Sequence, residues 1–285
     1  MTNFRLNIST LSKMRRRSEA DIRSRYKGFE LSQLDVEKIL RAEKEGAPCS
    51  TCKGLPCAKK VLPCVKPTVS VDGDSVKVTN VICQFEQNRR RQNTIKRNFA
   101  NAQIPQPYLG KTSDDYREDA NNANAVKWAR VSIAEGAGLY LYGCSGCGKT
   151  FLAALIAQEL LKTGKTVIFC DVPSLLESLK ATFDGDTRIE ELMSKLATAD
   201  MLIMDDLGAE YPTEWAASRL YMIINQRYNA EKPIIVTSNL NPLEANDKLN
   251  SPKNAPLGVH GDRIISRLRQ MCKIAQIKGG DRRRR

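Results

Sequence analysis

Short apolar segments alternate with longer amphipathic segments in the second half of the chain. Four of the short segments are almost wholly apolar, as are strands that are buried on both faces of a parallel sheet. Because amphipathic stretches of helical length lie between them, the pattern predicts an α/β fold with a parallel sheet. The predicted strands are Leu139–Tyr142, Thr166–Asp171, Met201–Asp206 and Pro233–Ser238, and the predicted helices are Thr150–Thr163, Pro173–Thr182, 186–197 and 213–229.

The first half of the chain has a weaker pattern, which predicts a small α+β module. Apolar residues recur at helical spacing within Ser32–Glu45, and the basic segment 86–98 also favours a helix. Between them, two valine-rich runs bracket Asp72-Gly73-Asp74 and predict a β-hairpin, with strands at Val69–Val71 and Val76–Cys83. We therefore expect an N-terminal region over residues 1–98, a linker over 99–120 and the α/β domain over 121–285.

Positive charge is in excess along the chain. The 285 residues include 45 Lys and Arg against 32 Asp and Glu, which gives a formal net charge of +13. This excess favours a partner that carries phosphate or acidic groups, although a single basic block such as Lys13–Arg17 is also typical of a solvated surface. The sequence contains no apolar run long enough for a membrane span, and its first residues lack the apolar core of a signal peptide. We therefore expect no membrane partner and a cytoplasmic location.

Five of the nine cysteines cluster between Cys49 and Cys83. In a cytoplasmic chain, clustered cysteines indicate a metal site rather than disulfides, and four thiolates make a closed structural zinc site. The Cys49-x-x-Cys52 pair can hold one side of the ion, and two of Cys57, Cys64 and Cys83 would complete it. We expect this zinc module at about residues 47–88, with Cys83 as the favoured closing ligand. The alternative is a set of reduced thiols without metal.

The segment from Gly143 to Thr150 fits the pattern G-x-x-x-x-G-K-[ST] without a mismatch, between a predicted strand and a predicted helix. Glycines allow the backbone N–H groups to surround a phosphate, and the start of the following helix favours an anion. Lys149 would bind the β- and γ-phosphates of ATP, and the Thr150 hydroxyl would ligate Mg²⁺. The predicted nucleotide-binding residues are Gly143, Cys144, Ser145, Gly146, Cys147, Gly148, Lys149, Thr150 and Phe151.

Polar residues at the ends of two later strands are the expected partners of this loop. Asp205 and Asp206 close an apolar strand, where Asp205 would hold Mg²⁺ and Asp206 would act as general base toward the attacking water. Asn239 follows another strand and would contact the γ-phosphate or that water, unless it only caps the following turn. Arg263 and Arg267 share one helix face and would supply an arginine to a neighbouring subunit's ATP. The alternative for these arginines is a solvent-facing helix surface.

These motifs together resemble the AAA+ ATPase family, and within it the DnaC/DnaI group of bacterial helicase loaders. The resemblance covers about residues 47–283 and is most specific at 205–210 (DDLGAE), 237–240 (TSNL) and 262–268 (DRIISRL). It implies that Arg267 is the arginine finger and Arg263 its companion, and that Asp206 stands where the broad family has Glu. It further implies a nucleotide-sensing role for Arg282 or Arg283, and contacts to single-stranded DNA from Phe183, Thr213 and Trp215, for which core packing is the alternative.

The resemblance implies an ATPase with slow hydrolysis that uses ATP, Mg²⁺ and Zn²⁺. Its partners would be a hexameric replicative DNA helicase, single-stranded DNA and further copies of itself, joined through the ATP sites. Two rival hypotheses share the same core: an IstB-type transposition helper ATPase, and a nucleotide-gated DNA-binding adaptor that does not hydrolyse ATP. A small-molecule kinase is the weakest alternative, because the cysteine cluster would then have no explanation.

Overall fold

The computed structural model describes residues 19–50, 52–53, 64–72, 75–180, 187–209, 213–242 and 258–282. Contacts within the chain divide it into two compact units, Met1–Gln92 and Asn93–Arg285. The division falls inside a helix, α2 (Gln84–Asn101). The boundaries expected from sequence at 98/99 and 120/121 stay predictions.

The first unit combines a helix with a hairpin. Helix α1 (Gln33–Ser50) begins with a reciprocal cap, in which Ser32 N donates to Asp35 Oδ2 and Asp35 N donates to Ser32 Oγ. Strand β1 (Val65–Asp72) pairs antiparallel with β2 (Ser75–Ile82). A small apolar core joins these elements to the helical segment 19–25, through Ile22, Leu31, Val36, Ile39 and Val76.

The second unit is built on a five-stranded sheet in which every strand pair is parallel, in the order β4–β5–β6–β3–β7. The sheet confirms the predicted α/β class. Its strands are β3 (Gly138–Tyr142), β4 (Val167–Asp171), β5 (Met201–Leu207), β6 (Ile234–Ser238) and β7 (Cys272–Gln276). The helices of this unit are α3 (Ala123–Glu135), α4 (Lys149–Lys162), α5 (Val172–Lys180), α6 (Thr187–Thr198), α7 (Glu214–Asn229) and α8 (Gly258–Met271).

Helices cover both faces of this sheet. Alternate residues of β3 point to opposite faces, so Leu139 and Leu141 belong to one core cluster and Tyr140 to the other. Helices α3 and α4 contribute to the first cluster, and α5, α7 and α8 to the second. This two-sided burial explains why the strands are so apolar. Because these strands are parallel, the carboxyl ends of β3, β5 and β6 lie at the same end of the sheet.

Two elements of the second unit were not predicted from sequence. Helix α3 precedes the first predicted strand, and β7 follows α8 without a connecting loop. Strand β7 lies at the edge of the sheet, where Lys273 and Gln276 are exposed, so it does not form a continuous apolar run. Across the part of the chain that the structure describes, no helix is both long enough and apolar enough to cross a membrane.

Candidate nucleotide site

The loop between β3 and α4 has a backbone that only glycine allows at several positions. Gly143, Gly146 and Gly148 have φ angles of 155°, 78° and 106°, in the region that side chains disfavour. A Cβ atom at Gly143 would lie 2.2 Å from the carbonyl oxygen of Ile277. The loop therefore has the tight turn, followed at once by a helix N-terminus, that a phosphate site requires.

Lys149 links this loop to the neighbouring strand β6. Its ammonium group donates to Gly143 O at 3.0 Å, to Cys144 O at 2.9 Å and to Asn239 Oδ1 at 2.8 Å. The side chain is buried at the first position of α4. The structure thus brings together Lys149 and Asn239, which are ninety residues apart in the chain.

Thr237 joins the two predicted acids. Its hydroxyl donates to Asp205 Oδ1 at 2.6 Å and accepts from the backbone N–H of Asp206 at 2.9 Å. Burial raises the pKa of Asp205, and the nearby charge of Asp206 acts in the same direction, while hydrogen bonds from Thr237 and Thr150 oppose the shift. Thr150 thus lies close enough to lower the pKa of Asp205, as expected for two ligands of one Mg²⁺ ion. Thr237 itself was not among the predicted site residues.

Asp206 adopts a left-handed backbone conformation, with a φ of 56°. The register between β5 and β6 shifts between Met204 and Leu207, so the strand bulges at the two acids. The bulge directs the Asp206 side chain to a cavity that Lys149 and Asn239 also line. Backbone strain of this kind is common at functional sites.

The cavity beside the loop has a volume of about 890 Å³, within the range of small-molecule sites. An aromatic group forms part of its wall: Phe151 stacks on Tyr108 at 5.3 Å between ring centroids and meets Tyr116 edge-on at 5.4 Å. Burial raises the pKa of Tyr116 to about 12, so this side chain stays neutral. Tyr108 and Tyr116 lie in the predicted linker 99–120 and were missed as site residues, because turn-forming composition does not show what a turn faces.

The segment after β7 forms another part of the cavity wall. Cys144 Sγ donates to Gly279 O at 2.7 Å, and the backbone N–H of Arg282 donates to Gly146 O at 3.0 Å. The Arg282 guanidinium binds both carboxylate oxygens of Asp119, at 2.9 and 3.1 Å. Arg282 is thus at the cavity, as the expected sensing role requires, whereas Arg283 lies outside the described residues.

The predicted finger arginines lie on α8 and pack against α7. Arg267 donates to Asn225 Oδ1 at 2.8 Å and to Tyr221 Oη at 3.2 Å, and its guanidinium lies 4.9 Å from the Tyr221 ring centroid. Arg263 lies 6.0 Å from the same ring. Neither is among the described residues that line the cavity, so the structure does not bring them to the phosphate loop of their own chain.

The predicted DNA-contacting residues lie near the start of α7, apart from Phe183, which is outside the described residues. Thr213 caps the helix, since its hydroxyl accepts from the N–H of Ala216 at 3.1 Å. Two cations lie near the Trp215 ring, with Lys180 Nζ at 5.5 Å and the Arg219 guanidinium at 5.7 Å from its centroid. Trp215 also packs partly against the core, which is the alternative expected from the sequence, and its contact with DNA stays a prediction.

The cysteines of the predicted zinc module form two backbone-linked pairs. Cys52 N donates to Cys49 O at 3.5 Å, and Cys83 N donates to Cys64 O at 2.9 Å, directly beyond the first residue pair of the hairpin. Cys57 lies outside the described residues. Among the residues that the structure does describe, no group of three or more Cys, His, Asp or Glu forms a metal site, so the zinc module is not shown.

The fold and this site together define a P-loop protein with an AAA+-type ATP-binding core. The chain belongs to the family of IstB-like ATP binding proteins, whose sequence model matches residues 64–285. It is 24% identical to the replicative helicase loader DnaI of Bacillus subtilis (strain 168), over 88% of this chain and 83% of the relative. It is 27% identical to the replicative helicase loader DnaC of Escherichia coli (strain K12), over 61% and 69%. A crystal structure of DnaI superposes with a TM-score of 0.53 at 28% identity, covering 64% of this chain and 95% of that one.

Proposed function

We propose that this chain is an ATP-dependent replicative helicase loader that acts in the initiation of DNA replication. The ATP part of the proposal rests on the clustering of four side chains at the carboxyl ends of the strands: Lys149, Thr150, Asp205 and Asn239. The loader part is supported by the similarity to DnaI, which extends over 88% of the chain. The similarity is therefore not confined to the second unit, Asn93–Arg285, which we call the ATPase unit.

The residues present fit ATP and Mg²⁺. The oxygen atoms of Thr150 and Asp205 are the hard ligands that Mg²⁺ prefers, and the bound ion would neutralise charge on the β- and γ-phosphates. Lys149 would exchange its carbonyl acceptors for phosphate oxygens. Asp206 would orient and deprotonate the attacking water, and Asn239 would hold the γ-phosphate or that water. Because aspartate is one methylene shorter than glutamate, we expect Asp206 to support slow turnover.

Arg267, with Arg263 beside it, would complete the ATP site of a neighbouring copy. Its position away from the loop of its own chain supports an action between subunits. Single-stranded DNA would stack on Trp215, whose neighbours Lys180 and Arg219 bring positive charge to the same surface. Thr213 would position this surface by capping α7, with Phe183 as a further DNA contact.

For the N-terminal region we propose helicase binding and a structural zinc ion held by four of Cys49, Cys52, Cys57, Cys64 and Cys83. The pairing of Cys49 with Cys52 and of Cys64 with Cys83 supports two halves of a tetrathiolate site. Mass spectrometry of the native protein should find one zinc per chain, lost in the Cys64→Ser variant. Native protein purified without chelator that contains no zinc would disprove the module.

The decisive experiment mixes the protein with hexameric replicative helicases, with and without ATP, and measures the mass of the complex in solution. A loader forms a complex of defined stoichiometry with one of them. If no helicase binds, the transposition helper becomes the better hypothesis, which the family model also allows. ATP turnover with and without single-stranded DNA separates both from an adaptor, which would bind ATP without measurable hydrolysis.

A further inference from the structure

Two cysteines lie inside the phosphate loop with the spacing Cys-x-x-Cys. The residues Cys144-Ser145-Gly146-Cys147 form a turn in which Cys147 N donates to Cys144 O at 3.4 Å. A turn of this kind keeps the first and fourth Cα atoms within about 7 Å, close to the range that a disulfide spans. The same spacing, just before a helix N-terminus, favours reactive thiols in other proteins.

The two thiols differ in exposure. Cys144 is exposed and its Sγ donates to Gly279 O at 2.7 Å. Cys147 is buried, and burial raises the pKa of its thiol. The neighbouring Cys144 side chain changes this pKa in the same direction. One sulfur is therefore open to a reagent in solution, while the second is shielded from it and belongs to the fourth residue of the same turn.

Cys170 and Cys272 of the same unit provide a contrast. Both are buried in the core, where their thiols donate to the carbonyl groups of Ile203 and Ile234. Burial raises the pKa of Cys170 to about 12, and it raises the pKa of Cys272 as well. A reagent in solution cannot reach these two thiols, so we expect both to remain reduced.

We propose that Cys144 and Cys147 are a thiol–disulfide exchange site for low-molecular-weight disulfides, of which glutathione disulfide is the simplest probe. The Cys144 thiol loses its proton and attacks one sulfur of the reagent, which forms a mixed disulfide and releases one glutathione thiol. The Cys147 thiol then attacks the Cys144 sulfur, loses its proton and releases the second glutathione thiol. The two protein thiols are oxidised to one disulfide, and the reagent is reduced to two thiols.

The disulfide lowers the affinity of the loop for ATP, a consequence that rests on the proposed ATP site. Its formation removes the proton with which Cys144 binds Gly279 O, and so it releases a contact between the loop and the cavity wall. The Cys147 sulfur has little spare room, since a methyl group at Gly143 would already lie 3.1 Å from it. The backbone of the loop must therefore move, and this is the part of the loop whose amide groups would surround the phosphate. By reciprocity, bound ATP disfavours the disulfide.

Mass spectrometry of tryptic peptides first tests whether the disulfide forms. The reduced protein is incubated with glutathione disulfide, remaining thiols are alkylated, and trypsin is added. Cleavage after Arg130 and Lys149 gives a peptide, residues 131–149, that contains Cys144 and Cys147 and no other cysteine. We expect this peptide to be lighter by two hydrogen atoms and unalkylated. The peptide 166–180, with Cys170 as its single cysteine, is the internal control and stays unmodified during incubation.

Two variants separate this site from the other cysteines. In Cys147→Ser the exchange stops at the mixed disulfide, so residues 131–149 gain one glutathione at Cys144. In Cys144→Ser we expect no oxidation of the peptide, although every cysteine of the N-terminal region is still present. A wild-type peptide that remains reduced, or that carries only the mixed disulfide, overturns the proposed disulfide.

Titration with ATP then tests the consequence. Oxidation should weaken ATP binding to the wild-type protein by about tenfold or more, and dithiothreitol should restore it. The affinity of Cys144→Ser should be the same before and after exposure to the reagent. If the disulfide forms and the affinity is unchanged, its control of ATP binding is refuted. If the reduced wild-type protein does not bind ATP, the proposed ATP site fails instead, and the peptide masses still decide the disulfide.

Discussion

Thr237 is the residue on which the geometry of both acids depends. It is fully buried, and its single hydroxyl proton is given to Asp205 while its oxygen accepts from the N–H of Asp206. A serine or threonine at a strand end is common, and its sequence position alone shows no partner. The contact depends on the order of the strands in the sheet, in which β6 lies beside β5.

Replacement of Lys149 by alanine should weaken ATP binding about 10- to 100-fold. A charge-assisted hydrogen bond contributes about 1.5–3 kcal/mol, and about 1.4 kcal/mol corresponds to tenfold in affinity. The measurement is equilibrium titration with ATP and Mg²⁺. Lys162→Ala is the matched control, because Lys162 ends the same helix and pairs at the surface with Glu159. Equal affinity of Lys149→Ala and wild type would refute the phosphate site.

Replacement of Asp205 by asparagine should stabilise the ATPase unit at neutral pH in the absence of Mg²⁺. The folded pKa of Asp205 lies above the ordinary value of 3.8, so the folded state binds its proton more tightly than the unfolded chain does. The contribution of this group to the free energy of unfolding therefore decreases as pH rises from 3.8 through the folded pKa. Above that pH the buried charge is destabilising, and asparagine removes it.

Urea unfolding followed by tryptophan fluorescence tests this, since the two tryptophans, Trp128 and Trp215, both lie in the second unit. The difference between Asp205→Asn and wild type should shrink as the pH is lowered toward 3.8. Saturating Mg²⁺ and ATP should reverse its sign, because only the wild type gains the full binding energy. A pH-independent difference would contradict the raised pKa.

At the scale of elements, the apolar pattern predicted four of the five strands of the sheet, β3 to β6, to within one residue at each end. Burial on both faces produces an unambiguous run of apolar side chains, which is why β3, β5 and β6 were found. The edge strand β7 carries no such run. The segment 106–115 lies in the predicted linker 99–120, and the structure contains two short 3₁₀ helices there. The contact of Tyr108 with Phe151 depends on packing that local composition does not encode.

Arg227 shows how one side chain can hold several elements. It is fully buried on α7 and donates to carbonyl groups of Leu196, Ala197, Ala199 and Pro233, which lie at the end of α6 and before β6. Burial lowers its pKa to about 10, so it remains charged at neutral pH.

We expect Arg227→Ala to lower the free energy of unfolding by about 3 kcal/mol or more, because it leaves several buried carbonyl groups without a donor. Arg227→Lys should lie between alanine and wild type, since an ammonium group cannot reach all four acceptors. The control is Lys195→Ala, an exposed ion-pair partner of Glu191, with a change within about 0.5 kcal/mol. A loss for Arg227→Ala no larger than for this control would show that the carbonyl groups find other donors.

At the scale of the whole molecule, the two units have different surfaces. Among the described residues, the smaller first unit has a small core and exposes five large apolar side chains, whereas the larger second unit exposes three. Phe29 and Leu34 are 44% and 62% exposed. Contiguous exposed apolar surface often marks a contact with a protein partner, and these two side chains lie five residues apart around the start of α1. Nucleotide binding and helicase binding are therefore expected to be separable properties.

The double variant Phe29→Ala, Leu34→Ala should weaken helicase binding by about tenfold or more and leave the affinity for ATP unchanged. Burial of one large apolar side chain contributes about 1.5–3 kcal/mol, and truncation of two central contacts removes at least that amount. Leu109→Ala is the control for helicase affinity, because Leu109 is 46% exposed and belongs to the other unit. Titration of labelled helicase measures the helicase affinity of both variants, and titration with ATP measures their affinity for ATP. If Leu109→Ala weakens the complex and the double variant does not, the helicase contact belongs to the ATPase unit, and the assignment of the N-terminal region is wrong.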